Sequence, residues 1–233
     1  MQLFYVPDIK GSEVILSEIE SKHAIRVLRL SEGSTIQLID GKGGFYEAEI
    51  LVANPKKCRL HIVNTIADFG KKDFHLHIAI APTKNIDRTE WFLEKCTEIG
   101  INEITPFISE HSERKVIKPE RLEKILVSAM KQSVKAYLPK LNPLTSYREL
   151  ISNSVEEKKF IAHCNDGEKP HLKNVVNQGD KVLVLIGPEG DFSLAEVELA
   201  QENGFKEISL GTSRLRTETA GVAACHIVNL ANE

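Results

Sequence analysis

The chain has 233 residues, with 30 Lys and Arg against 33 Asp and Glu and a formal net charge of -3. That balance excludes a protein that coats nucleic acid through bulk charge, while leaving room for a local basic face. A content of 42% hydrophobic and 27% charged residues is that of an ordinary globular chain, long enough for one large domain or two modest ones with their own cores. No apolar run approaches the ~18 residues of a membrane span. The opening MQLFYVPDIK lacks a basic region followed by an apolar one, so the expected location is cytoplasmic. Cys58, Cys96, Cys164 and Cys225 are scattered without the paired spacing of a zinc site and are expected as reduced thiols.

In chain order, residues 1–68 read as a small β-rich unit. Gln2–Val6 is expected as a strand. Ser17–Leu30 carries apolar Ile19, Ala24, Val27 and Leu28 at helical spacing. Thr35–Ile39 and Phe45–Ile50 flank Asp40-Gly41-Lys42-Gly43-Gly44 and predict a hairpin, with Arg59–Thr65 as a further strand. The glycines lack the spacing of a phosphate-binding loop. The polar stretch ADFGKKD follows, with a linker at residues 69–73.

From Phe74 onward, strands alternate with helices. Strands are expected at Phe74–Ala81, Glu103–Ile108, Lys159–His163, Lys181–Ile186 and Glu207–Leu210. Helices are expected at Asp87–Ile99, Pro119–Ala136, Tyr147–Asn153, Leu194–Asn203 and Glu218–Ala231. Capping pairs at Asp87/Glu90, Ser146/Glu149 and Ser193/Glu196, and Pro119 in a first turn, mark four of the helix starts. This alternation predicts an α/β domain over residues 74–233 with a mostly parallel sheet.

The stretch from Lys181 to Val222 concentrates the candidate chemistry. An aliphatic strand is broken by Gly187-Pro188-Glu189-Gly190, and a second short strand ends in Gly211 and a polar loop. Ligands of open α/β sheets sit at the carboxyl ends of strands, where glycines let backbone groups approach them. The two glycine-opened ends would lie side by side if their strands were parallel neighbours. The segment after the first strand of the α/β domain, Pro82-Thr83-Lys84-Asn85, has none of the G-x-G-x-x-G pattern of a dinucleotide fold.

GPEG followed some twenty residues later by LGTSRLRTETA resembles the C-terminal signature of the RsmE family, SPOUT-superfamily enzymes that methylate N3 of a uridine in 16S ribosomal RNA. HAIRVLRLSEGSTIQLIDGKGGFYEAEI resembles that family's PUA-like RNA-binding β-barrel, and DRTEWFLEKCTEIGINEITPFISEHSERK resembles the start of its catalytic domain. The resemblance implies a SPOUT-type trefoil-knot domain that holds S-adenosyl-L-methionine, and a homodimer acting on 16S rRNA within the small ribosomal subunit. Another RNA as substrate, or an RNA-binding assembly protein without chemistry, are the alternatives.

On this reading His163, Ile186, Gly187, Pro188, Glu189, Gly190, Leu210, Gly211 and Leu215 would surround the methyl donor. Arg216 would stabilise negative charge developing on the uracil, because a guanidinium stays charged. Thr217 is a helix cap or a donor to the substrate, and Glu218 a base or a partner of the helix dipole. The family writes an arginine where Ser213 stands, with Arg214 one place later here. Lys22, Arg26 and Arg29, at helical spacing, and a second cluster around Lys131 and Lys135 are candidates for RNA phosphates. No metal site is expected: His75 and His77 share a strand face without a third ligand nearby.

Overall fold

The computed structural model describes residues 3–233 and divides into two compact units. One comprises the chain up to residue 71 together with residues 127–138, and the other residues 72–126 and 139–233.

The first unit is a five-stranded sheet in the order β1-β3-β4-β5-β2: β1 (Leu3–Tyr5), β2 (Glu13–Ile15), β3 (Thr35–Ile39), β4 (Phe45–Val52) and β5 (Arg59–Ile66). The expected start of β1 at Gln2 lies outside the described residues. The hairpin forms as the glycine turn predicts, with Asp40 accepting from the N–H groups of Lys42 (2.7 Å) and Gly44 (2.9 Å). Strand β2 escaped the sequence reading because three residues are too few for alternation to register. Fully buried Phe4, Ile36, Leu38, Ile50 and Leu60 fill this unit's core.

The expected helix over Ser17–Leu30 is shorter and irregular. Helix α1 (Glu18–Lys22) passes into a π-helical turn, His23–Val27, where the Leu28 N–H reaches back five residues to the His23 carbonyl. The wider turn shifts the register after Lys22, so Val27 faces solvent while Ala24 is buried; Ile19, in the regular turn before it, is exposed as well.

The second unit is a sheet in the order β12-β10-β11-β6-β7-β8, every pair parallel. Its strands are β6 (His75–Ile80), β7 (Glu103–Ile108), β8 (Lys140–Leu141), β10 (Lys158–Ala162), β11 (Lys181–Ile186) and β12 (Lys206–Ile208), and β9 (Thr145–Ser146) pairs with β7. Val182 to Leu185 are fully buried, as a strand covered on both faces requires. Each such aliphatic side chain contributes roughly 1.5–3 kcal/mol by leaving water.

The helices are α2 (Ile86–Ile99), α3 (Pro119–Gln132), α4 (Tyr147–Asn153), α5 (Leu194–Glu202) and α6 (Thr217–Leu230). Capping boxes at Ser146/Glu149 and Ser193/Glu196 form as expected, whereas α2 is capped by Asn85, which accepts from the Asp87 N–H. Helix α3 stops at Gln132 rather than Ala136. Val134 turns to φ 54° and the Lys135 N–H bonds the Met130 carbonyl (3.0 Å), a left-handed C-terminal closure. A valine there gives no sequence signal of a stop, since that closure is normally made by glycine. No helix of the described residues is long and apolar enough to cross a membrane.

Candidate active site

Parallel strands all end on one edge of their sheet, so the loops after them converge there. Three loops do so here, after β10 (His163 onward), β11 (Gly187–Ser193) and β12 (Ser209–Arg216). Together with the first residues of α6 they enclose a cavity of about 940 Å³. That is the size of a small-molecule site.

The two glycine-opened strands are not neighbours, contrary to the expectation. Strand β10 lies between β11 and β12 and pairs with both, so its own loop becomes the third wall. Of the expected donor-binding residues, His163, Ile186, Gly187, Pro188, Glu189, Leu210, Gly211 and Leu215 line the cavity. Gly190 does not. A Cβ at Gly190 would lie 2.9 Å from the His111 Cβ, and His111 Nδ1 donates to the carbonyls of Gly190 (3.2 Å) and Asp191 (3.0 Å). Gly190 therefore seats the β11 loop on its neighbour instead of facing a ligand.

The walls are held by side chains that reach from loop to loop. Glu189 Oε1 accepts the Lys84 N–H at 2.9 Å, tying the β11 loop to the one after β6. His163 donates from Nε2 to Glu207 Oε2 (2.6 Å), and its Nδ1 accepts the Asn165 N–H (3.2 Å), which fixes the tautomer. Burial, aided by Lys169, holds the His163 pKa below its ordinary 6.5 despite the Glu207 carboxylate. Cys164 has a thiol pKa raised by burial and by Asp191.

Two features suit the cavity to a polar ligand. No other group of the described residues hydrogen-bonds the N–H of Leu210 or Gly211. Asn165, which lines the cavity, has a buried amide nitrogen without a hydrogen-bond partner among the described residues. A buried donor left unsatisfied costs about 1–3 kcal/mol, so a polar ligand that accepts from it gains that much.

Arg216 lies on the cavity wall, exposed, and its guanidinium has no ion pair or hydrogen bond among the described residues. It occupies the N-cap position of α6, so Thr217 is the first helical residue and not its cap. Thr217 is buried and lines the cavity. Glu218 does not line it: this carboxylate is buried against α2, 3.8 Å from Arg88 Nε, and its Oε2 has no hydrogen bond among the described residues. Sequence reasoning missed Arg88, Asn165, Lys169 and Asp191, since none falls in the two glycine motifs.

The basic clusters of the first unit are less open than their spacing suggested. Lys22 pairs with Glu18 at 2.6 Å, and Lys131 with Glu20 at 2.5 Å while lying over the Phe4 ring. Arg26 sits in the π-turn and Arg29 beyond it at φ 56°, so the three do not form a regular helical row. Arg26 and Arg29 are exposed and Lys135 half-buried. His75 and His77 serve the opposite end of the sheet. His77 bonds Glu156 through Nδ1 and Thr105 through Nε2 (2.7 Å), and His75 lies 3.6 Å from Glu103.

Residues 70–229 match the family model for an RNA methyltransferase domain, and residues 16–63 that for an RNA methyltransferase PUA domain. Ribosomal RNA small subunit methyltransferase E from Aquifex aeolicus is 30% identical, over 98% of this chain and 99% of its own. This chain belongs to the ribosomal RNA small subunit methyltransferase E family. Among solved structures, one described as a probable rRNA-methyltransferase from Porphyromonas gingivalis is 42% identical with a TM-score of 0.94, covering 100% of this chain and 98% of that one. The methyltransferase E of Neisseria gonorrhoeae, solved bound to S-adenosyl methionine, is 29% identical with a TM-score of 0.86 and covers 97% and 95%. The expected fold class, an α/β domain with a mostly parallel sheet joined to a PUA-like β domain, is borne out.

Proposed function

We propose that the protein binds S-adenosyl-L-methionine in the cavity at the ends of β10, β11 and β12 and methylates N3 of a uridine in 16S ribosomal RNA. The observation that carries this reading is the cavity itself: its free main-chain donors and the unpartnered Asn165 amide suit the adenosine and amino-acid groups of that donor. A family member bound to the same compound supports it. When bound, the sulfonium supplies an electrophilic methyl group, so positioning and electrostatics make up the protein's share of catalysis. Ile186 and Leu215 would pack the adenine, and the N–H groups of Leu210 and Gly211 would bond its edges or the ribose.

Arg216 is the catalytic residue in this reading. Its unpartnered guanidinium would face the uracil and stabilise the negative charge left as the imide proton departs. Thr217 would donate to the base, and Glu218, set one residue deeper beside Arg88, would hold the first turn of α6 in place. In the first unit, Arg26 and Arg29 would meet RNA phosphates, joined by Lys135 and, where their acidic partners yield, by Lys22 and Lys131.

The same reading includes the trefoil knot, a homodimer and a cytoplasmic location, with the assembled small subunit as substrate. For the knot, the Ser209 backbone bonds the Pro170 carbonyl (3.0 Å) and the Leu172 N–H (2.9 Å), and Asn232 accepts from the Gly179 N–H, so the last segment runs beside the loop after β10. For the dimer, the packed helices α2 and α6 leave Trp91 and Leu230 exposed, and a second copy would cover them.

The test is transfer of labelled methyl groups to 30S subunits, naked 16S rRNA and tRNA, with nucleoside analysis by mass spectrometry. Label recovered as 3-methyluridine from small-subunit RNA is expected; label in tRNA alone, or at another ring position, contradicts the proposal.

A further inference from the structure

Asp191 joins two of the three cavity walls. It stands at the end of Gly187-Pro188-Glu189-Gly190 with φ 64°, a left-handed backbone that Asp tolerates better than most residues. Both of its carboxylate oxygens are engaged. Oδ2 accepts the Cys164 N–H from the β10 loop at 2.8 Å, and Oδ1 accepts the Phe192 N–H at 2.8 Å. The Cys164 contact crosses 27 residues of sequence and is a direct side-chain tie between the β10 and β11 loops. On the other side, the Asp191 carbonyl is gripped by His111 Nδ1. Phe192 anchors the same loop in the core, 3% exposed and stacked 6.1 Å from Phe107.

This tie is one of the bonds that hold the loop from His163 to Lys169, alongside those from the Asn165 N–H to His163 Nδ1 and from Lys169 to the Asn165 carbonyl. Along this loop, His163, Cys164, Asn165, Gly167 and Lys169 line the cavity, as does Asp191 on the facing loop. The unpartnered Asn165 amide lies one residue beyond the bonded Cys164 N–H, so Asp191 shares in setting its position. A charge-assisted bond from a carboxylate to a backbone N–H is among the stronger ties that a loop can have.

We propose that Asp191 is a positioning residue that docks the β10 loop onto the β11 loop and thereby sets the affinity for the methyl donor without entering the chemistry. The inference rests on the reading that the cavity holds S-adenosyl-L-methionine.

Three variants separate the carboxylate's role from the backbone's. Asp191→Gly removes both bonds but suits the positive φ, Asp191→Ala removes both and strains the backbone, and Asp191→Asn keeps one acceptor oxygen. Calorimetry with S-adenosyl-L-methionine on the full chain gives Kd, and steady-state transfer to RNA gives KM and kcat. Expected is a roughly tenfold rise in donor Kd and KM for Asp191→Gly, with kcat at saturating donor and KM for RNA within about twofold of the wild type. Asp191→Asn should recover part of the affinity. Hydrogen exchange in the absence of donor should quicken at the Cys164 N–H in the Gly variant. A Gly variant that binds the donor like the wild type, or that lowers kcat without raising KM, overturns the proposal while leaving the cavity assignment intact. A wild-type chain that shows no saturable heat with the donor overturns the assignment and this inference with it.

Discussion

Gly221→Ala tests whether close packing of α6 on α2 fixes the site. Gly221 lies in the middle of α6, where its carbonyl is 3.9 Å from the Cys96 thiol sulfur on α2. A Cβ at this position would fall 2.5 and 2.6 Å from two ring carbons of Phe92 and 3.3 Å from Ile80 Cδ1. Phe92 is fully buried and Ile80 is 1% exposed, so neither side chain can retreat and the helices must separate. Forcing a methyl group into such a contact costs about 1–3 kcal/mol. Replacing glycine with alanine inside a helix gains ~1 kcal/mol from reduced backbone entropy. With two ring atoms overlapped in a fully buried contact, the cost falls in the upper part of its range, and the net loss is about 1–2 kcal/mol. For a chain of this size that lowers Tm by about 2–8 °C. Because the first turn of α6 carries Thr217 into the cavity wall, donor affinity should fall as well. Thermal unfolding by circular dichroism reads the first effect and calorimetry the second. A Tm equal to or above that of the wild type would show that helix propensity outweighs packing, and would refute the reasoning.

Arg216→Ala should leave donor Kd within about twofold while kcat falls roughly a hundredfold or more, the scale on which a single transition-state donor acts; unchanged turnover would remove Arg216 from the mechanism. Glu156→Ala strips His77 of a buried hydrogen-bond partner and should lower stability by about 1–3 kcal/mol, read from urea unfolding at constant m. The pKa values of His75 and His163 are both held below their ordinary 6.5, chiefly by burial. The unfolded chain therefore takes up protons first, so stability is complete above pH 6.5 and is lost as pH falls from there towards the folded values. His163→Gln should flatten part of that decline, and an unchanged slope between pH 7 and 5.5 would contradict the assignment to His163.

Much of the second unit was legible because its elements are long and punctuated. The apolar run Lys181–Ile186, the box Ser193/Glu196 and the Gly100 that closes α2 each state their element locally. What failed to show was non-local. Sequence spacing gave no indication that β10 inserts between β11 and β12, since strand order depends on crossovers rather than residue patterns. Strands of two or three residues, such as β2, β8 and β9, carry too little alternation to be seen. The π-turn after Lys22 defeated a helical wheel built on 3.6 residues per turn, which is why Val27 faces solvent.

The candidate site divides in the same way. Glycine-opened loops advertise themselves, so most of the residues named from GPEG and LGTSRLRTETA do line the cavity. Asp191 and Asn165 act through partners distant in sequence or through the lack of one, and no motif marks either. Glu218, two residues after Arg216, could be read as a base or as a partner of the helix dipole. A helix turns adjacent residues to different sides, so its side chain meets Arg88 on α2 instead.

The most direct measurement is a crystal structure of this chain with S-adenosyl-L-methionine. The donor is expected between the loops after β10, β11 and β12, hydrogen-bonded to the N–H groups of Leu210 and Gly211, with its methyl group directed towards Arg216. Density for the donor at any other place on the chain, with this cavity left to solvent, would contradict the assignment of the cavity to the methyl donor.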